Sequence, residues 1–278
     1  MRNEFHDTLD TLVADLSEMC DRASAMMRSA TTALLFTDAD AGRRLRADLT
    51  HLTALAASVN DRAYRLLALQ APVARDLRTV VAALHIGADA DRMGALASHV
   101  ARVAARTDPE PAVPAEVADL FTEMGTTAVR MAGEARDAVR GRDADLAEKI
   151  CAGDARMDEL HRQLLVRVAA PQWRHGPLVA ADMVLLGRFY ERFADHAVEI
   201  ARRVYFQATG SSLVGGSGAI GLARQRRERP HRPRENGVGA RRLTGPENYF
   251  RSNRSLFITF THAATKSSTN LPLLSSCA

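Results

Sequence analysis

The chain has 278 residues, of which 46% are hydrophobic, 25% charged and only 5% aromatic. That is more chain than one small core needs, and it predicts two packed units or one unit with an extension. Residues 211–278 hold ten Arg and one Lys against three Glu, a balance of +8; with +4 overall, residues 1–210 stand at −4, which argues against a nucleic-acid-binding body there.

Ala, Leu and Arg dominate, and Gly and Pro gather near residues 107–114, 170–177 and beyond 210. The long uninterrupted stretches between them predict an all-α protein. No window reaches about 18 consecutive apolar residues. The opening MRNEFHDTLD is acidic where a signal peptide would be apolar, so the expectation is a cytoplasmic chain with no transmembrane segment. Cys20, Cys151 and Cys277 form no close pair and no CxxC, which indicates neither a zinc knuckle nor a disulfide framework.

In chain order, the first predicted helix covers 3–35, the second opens at Asp38 as N-cap and ends before Pro72, and the third covers 73–105. The same order then returns: a helix over 115–140, one opening at Asp143 and ended by Pro171, and one over 176–207. The repetition is visible in the residues. VADLSEM at 13–19 matches VADLFTEM at 117–124, Asp38-Ala39-Asp40 matches Asp143-Ala144-Asp145, Leu66-Leu67 matches Leu164-Leu165, and DRMGALASHVAR from Asp91 matches ERFADHAVEIAR from Glu191. Apolar stripes at helical spacing run along both third helices: Ile86, Ala90, Met93, Ala97, Val100 and Ala104 in one, Leu186, Tyr190, Phe193, Ala197, Ile200 and Val204 in the other. The predicted architecture is two tandem three-helix bundles with six long helices: repeat 1 over 1–106, repeat 2 over 107–209, and a disordered basic tail over 210–278.

Candidate chemistry lies on repeat 2. Glu191 and Asp195 are four residues apart and share a helix face, placed by angle away from the apolar stripe and toward solvent or a groove. Asp154 and Asp158 have the same spacing on the preceding antiparallel helix, at an overlapping depth. If the faces converge, four carboxylates form an oxygen-rich cluster suited to iron, manganese or magnesium, with zinc an alternative through carboxylates or His196. In repeat 1 the matching positions are Ala56, Asn60, Asp91 and Ala95, so Asp91 is the only acidic survivor and the one candidate metal ligand there. The bland alternative is a solvated acidic face paired with Arg188, Arg192 and Arg202. His85, His99, His161, His175 and His196 lack an HxxxH spacing and read as surface or cap residues. Met19, Met26, Met27, Met93, Met124, Met131 and Met157 read as core filling, and Trp173 as a cap over a bundle end. Residues 1–210 contain no Gly-rich phosphate loop, nucleophile elbow or HExxH.

LLALQAPVARDLRTVVAALH followed by DADRMGALASHVAR, and later LLGRFYERFADHAVEIARR, resemble the hallmark segments of the PhoU family, over about residues 1–209. The resemblance implies a six-helix fold and a cytoplasmic, non-enzymatic negative regulator of phosphate uptake and phosphate-responsive signalling. It implies as partners the ATPase subunit of the phosphate ABC transporter and a phosphate-sensing histidine kinase, with the chain peripheral to the inner membrane face through them, and a homodimer. Several members bind multinuclear iron or zinc through paired E(D)xxxD motifs, which Asp154, Asp158, Glu191 and Asp195 match and Ala56, Asn60 and Ala95 do not; the chain is similar to actinobacterial members in that alanine. The alternative reading is a helical carboxylate metal-binding or metal-storage protein with no transporter role. The ferritin-like di-iron version of it needs ExxH pairs, which are absent. The tail beyond GSSLVGGSG is either a basic arm for anionic lipid, nucleic acid or an acidic protein face, or a frameshift or read-through product, which codon usage across Gly210 distinguishes.

Overall fold

Long stretches of strong helix formers, interrupted where Pro, Gly, capping Asp or a left-handed residue intervenes, give a chain built of α-helices. A computed structural model describes residues 2–36, 38, 40–105 and 112–213. Its elements are α1 (Arg2–Phe36), α2 (Ala41–Gln70), α3 (Ala74–Ala104), α4 (Ala115–Gly141), α5 (Ala144–Ala152), α6 (Ala155–Val168) and α7 (Gly176–Thr209). The expected tail lies outside the described residues apart from its first four positions.

The helix ends follow local rules. α2 stops at Ala71, which takes a left-handed φ of 43° just before Pro72. At α4 the left-handed Arg142 returns its N–H toward Ala138 and Val139 carbonyls. Gly210 at φ 76° closes α7 with a 2.8 Å bond to Phe206 O. Asp143 caps α5 as expected, accepting from Leu146 N at 3.0 Å. Asp38 does not occupy the N-cap of α2: Asp40 does, and the Asp38 carboxylate accepts from Asp40 N at 3.1 Å one step earlier. The second helix of repeat 2 is not continuous. It breaks at Gly153–Asp154 into α5 and α6, whereas α2 of repeat 1 runs unbroken for 30 residues.

Within repeat 1, α1, α2 and α3 pack mutually; within repeat 2, α4 and α7 sandwich α5 and α6. The repeats join through equivalent helices, α1 to α4 and α3 to α7. Cross-contacts set the direction. Asp10 meets Arg142, Asp21 meets Arg136, and Ser24 Oγ donates to Val129 O, so α1 and α4 are antiparallel. Gln207 donates to Thr79 Oγ1, His196 pairs with Asp89, and His99 lies edge-on to Phe189, so α3 and α7 are antiparallel as well. The two bundles are therefore related by an approximate twofold axis perpendicular to their helices, and a single core runs through both. All seven methionines expected in the core are buried there.

Near this axis α1, α4 and α7 come closest. The hydroxyls of Thr31 and the fully buried Tyr190 stand 2.9 Å apart, Tyr190 is 5.9 Å from Phe121, and a Cβ at Gly125 would lie 2.5 Å from Thr31 Cγ2 and 3.1 Å from Thr31 Cβ. Thr31 cannot retreat, because its Oγ1 also donates to Met27 O at 2.8 Å. Gly125→Ala therefore overpacks the junction, with a net loss of about 1–2 kcal/mol after the gain in helix propensity. Gly133, on the same helix with nothing within 4 Å, is the matched control. There Ala is expected to stabilise by about 0.5–1 kcal/mol. Paired urea melts of the two variants check both signs.

Candidate metal centre

The α5–α6 break and the long α7 together build a cleft in repeat 2. Asp154, Asp158 and His161 follow one another at spacings of four and three on α6, and Gly187, Glu191 and Asp195 at spacings of four on the antiparallel α7. Read in opposite directions, these series place Asp154 level with Asp195, Asp158 with Glu191, and His161 with Gly187.

Each of the other three acidic residues acts on Asp154 electrostatically. Burial pushes the Asp154 carboxyl up to about 6, and the neighbouring Asp158, Asp195 and Glu191 charges add to the rise against Arg202. Glu191 is the opposite case. Burial pushes it up, but contacts with His161 and Arg188 together outweigh this and hold it at about 2. Its Oε2 lies 3.2 Å from His161 Nδ1 and touches Arg188 Nη1, yet no neighbour meets that oxygen at hydrogen-bonding geometry. His161 Nε2 is likewise buried without a hydrogen-bond partner. Glu191 and His161 side chains are each 16% exposed, so the acidic pair of α7 lines a half-buried cleft and not an open face.

Asp91, the surviving acidic position of repeat 1, stands apart from this cleft. Thr53 Oγ1 donates to it at 2.8 Å, and Ala56, Asn60 and Ala95 offer it no companion carboxylate. Among the described residues no three His, Cys, Asp or Glu side chains stand ready-made as a metal-ligand group. The donor chemistry of the repeat 2 cleft nonetheless fits a hard or borderline cation. Four carboxylates line it, burial and then the charges of the other three raise the Asp154 carboxyl, and two buried polar atoms lack hydrogen bonds. His161, which its spacing in the sequence reads as a surface or cap residue, is instead largely buried in the cleft. The signal was its place three residues after Asp158, on the same face.

His196, the histidine that the sequence offers as a zinc ligand, lies instead at the junction of the repeats, its Nδ1 3.0 Å from Asp89 Oδ1.

Two bundles joined through equivalent antiparallel helices, one carrying a carboxylate cleft, define a tandem-repeat all-α protein. The PhoU domain family matches residues 16–104 and 121–204. A phosphate-specific transport system accessory protein, PhoU homolog 2 of Mycobacterium tuberculosis, is 47% identical over 211 residues, covering 76% of this chain and 99% of its own length. The PhoU homolog 1 of Mycobacterium leprae is 48% identical over 211 residues, at 76% and 95% coverage. The chain belongs to the PhoU family. Crystal structures of PhoU from Pseudomonas aeruginosa and Streptococcus pneumoniae share the fold with TM-scores of 0.66 and 0.68, at 24% and 20% identity, over 74% and 75% of this chain and 100% and 99% of theirs.

The raised Asp154 carboxyl has a consequence for the chelated protein. A carboxyl whose folded pKa lies above its unfolded value contributes stability that is complete below about 3.8 and lost as pH rises through about 6. Asp154→Asn is therefore expected to raise Tm at pH 7–8 and to flatten the fall between pH 4 and 6, as read by thermal melts in EDTA across that range. Glu191 contributes the reverse: stability present above about 4.5 and lost as pH falls through about 2.

Proposed function

We propose that this chain is a negative regulator of phosphate uptake and of phosphate-responsive signalling. It acts in the cytoplasm by docking on the ATPase subunit of the phosphate ABC transporter, on the phosphate-sensing histidine kinase, or on both, and restrains signalling when phosphate is plentiful. Binding, not turnover, carries the effect. The observation that carries this reading is the match to phosphate-specific transport accessory proteins over nearly their whole length, at 47–48% identity. No helix among the described residues is long and apolar enough to cross a membrane, which agrees with a partner-borne position at the membrane. Docking is supported by apolar side chains left open at the interhelix turns: Leu69 and Val73 in repeat 1, Val166 and Leu178 in repeat 2, the last 83% exposed. A homodimer belongs to the same reading.

A metal is part of the proposal. Asp154, Asp158, Glu191 and Asp195 are the residues that would hold an iron, zinc, manganese or magnesium ion or cluster, and bound cations would supply the charge that their mutual repulsion calls for. Asp91 is the one candidate ligand of repeat 1, where Thr53 donates to it and no second carboxylate joins it. The shared carboxylate cleft also motivates the second reading, a metal-binding or storage protein independent of the transporter.

Deletion of the gene is expected to raise phosphate-responsive transcription in phosphate-rich medium; an unchanged level contradicts the regulatory reading and favours the second. In the purified chain, Glu191→Ala/Asp195→Ala is expected to lose most of the metal found by elemental analysis. Equal metal in wild type and double variant eliminates the site assignment.

A further inference from the structure

His161 belongs to no acidic motif, yet its place is built. A Cβ at Gly187 would come within 2.5 Å of Leu164 Cδ2 and 3.1 Å of His161 Cδ2, so the absence of a side chain at 187 makes room for the imidazole between α6 and α7. The ring turns Nδ1 toward Glu191 Oε2 at 3.2 Å. Its Nε2 is buried without a partner on the side of Gly187 and Leu164. A proton on Nε2 would be buried with no acceptor, whereas a proton on Nδ1 faces the carboxylate, so this packing favours the Nδ1-protonated tautomer.

Repeat 1 supplies an internal comparison. The matches that flank this position, Asn60 with Asp158 and Leu66-Leu67 with Leu164-Leu165, set His161 against the buried Ala63. Gly187 has its counterpart in Gly87, whose slot is lined by Val59 and Leu16. The glycine notch is thus present in both repeats, but only in the repeat that retains the carboxylates does a histidine share it with an aliphatic side chain, Leu164. A core-filling role alone would be served by the aliphatic solution that repeat 1 uses.

We propose that His161 is the positioning residue of the repeat 2 cleft: its Nδ1–H fixes the Glu191 carboxylate so that the other oxygen is presented to a cation shared with Asp154, Asp158 and Asp195. The proposal rests on the metal-bearing reading of that cleft. Side chains set against a metal ligand from behind commonly govern affinity by about 10–100-fold.

The test titrates manganese(II) into the full chain and follows free manganese by electron paramagnetic resonance. His161→Leu keeps a branched side chain without the donor. His161→Asn places an amide N–H where Nδ1 stands. Gly187→Ala pushes on the ring without removing it. The expected result is a Kd about 10–100-fold weaker for His161→Leu, near-wild-type binding for His161→Asn, and weakened binding for Gly187→Ala, with matching far-UV circular dichroism in EDTA. Wild-type affinity in His161→Leu overturns the proposal and leaves the metal reading standing. Equal weakness of the Asn and Leu variants overturns positioning in favour of packing. Should the Leu variant fail to fold, undiminished binding by Gly187→Ala is the overturning result. Absence of manganese binding by the wild type removes the metal reading and this inference together.

Discussion

The antiparallel joining of α1 to α4 and of α3 to α7 is the constraint on which the rest of the structure depends. A three-helix repeat of about a hundred residues buries its second helix adequately, but the first and third helices carry apolar stripes wide enough to need neighbours on two sides. Pairing each with its own counterpart satisfies both repeats at once and makes a single core. Close approach at the junction is obtained with small residues, Gly125 against Thr31 above all, and a fully buried tyrosine finds its hydroxyl partner on the opposite repeat. That leaves the α2–α3 and α6–α7 faces turned outward, which is where the carboxylate cleft lies.

The cleft is an electrostatic conflict held in place by packing. Burial of Asp154 between adjoining helices, with the charges of Asp158, Asp195 and Glu191 added to it, appears as a proton affinity well above that of an exposed aspartate. Glu191 escapes it because Arg188 and His161 lie against it. In repeat 1 the conflict has been removed at its source. With Ala56, Asn60, Ala63 and Ala95 in the matching places, Asp91 is left to an ordinary bond with Thr53. The two faces of a nearly symmetric molecule are thus chemically distinct.

Much of this could be read from the chain itself. Helix boundaries came within a residue or two wherever Pro, Gly or a capping aspartate marked them, as at Pro72, Asp143 and Gly176. The tandem repeat and the two carboxylate pairs were legible because spacing of four is a local property of a helix. What escaped depended on tertiary geometry. ICAGDARMDEL keeps its helical period through Gly153 and Asp154, which hid the stop-and-start signal of that Gly–Asp pair; a repeat in sequence does not say that its copies meet antiparallel; and His161 acquires meaning only when α7 brings Glu191 and a glycine notch beside it. The angle that placed Glu191 and Asp195 toward solvent or a groove was correct relative to their own helix, but α6 covers that side and half buries them.

The interruption at Gly153–Asp154 also divides repeat 2 thermodynamically. α2 is one cooperative rod of 30 residues, but α5 has nine, well short of the length at which an isolated helix holds together in water. Its order is borrowed from the Asp143 cap and from contacts with α4 and α7. Amide protons of α5 are accordingly the ones whose exchange reports sub-global opening, while those of α2 report loss of the whole bundle. The half-buried thiol of Cys151 sits within that segment, so its accessibility to a thiol reagent keeps time with the opening of the same helix that leads into the carboxylate cleft.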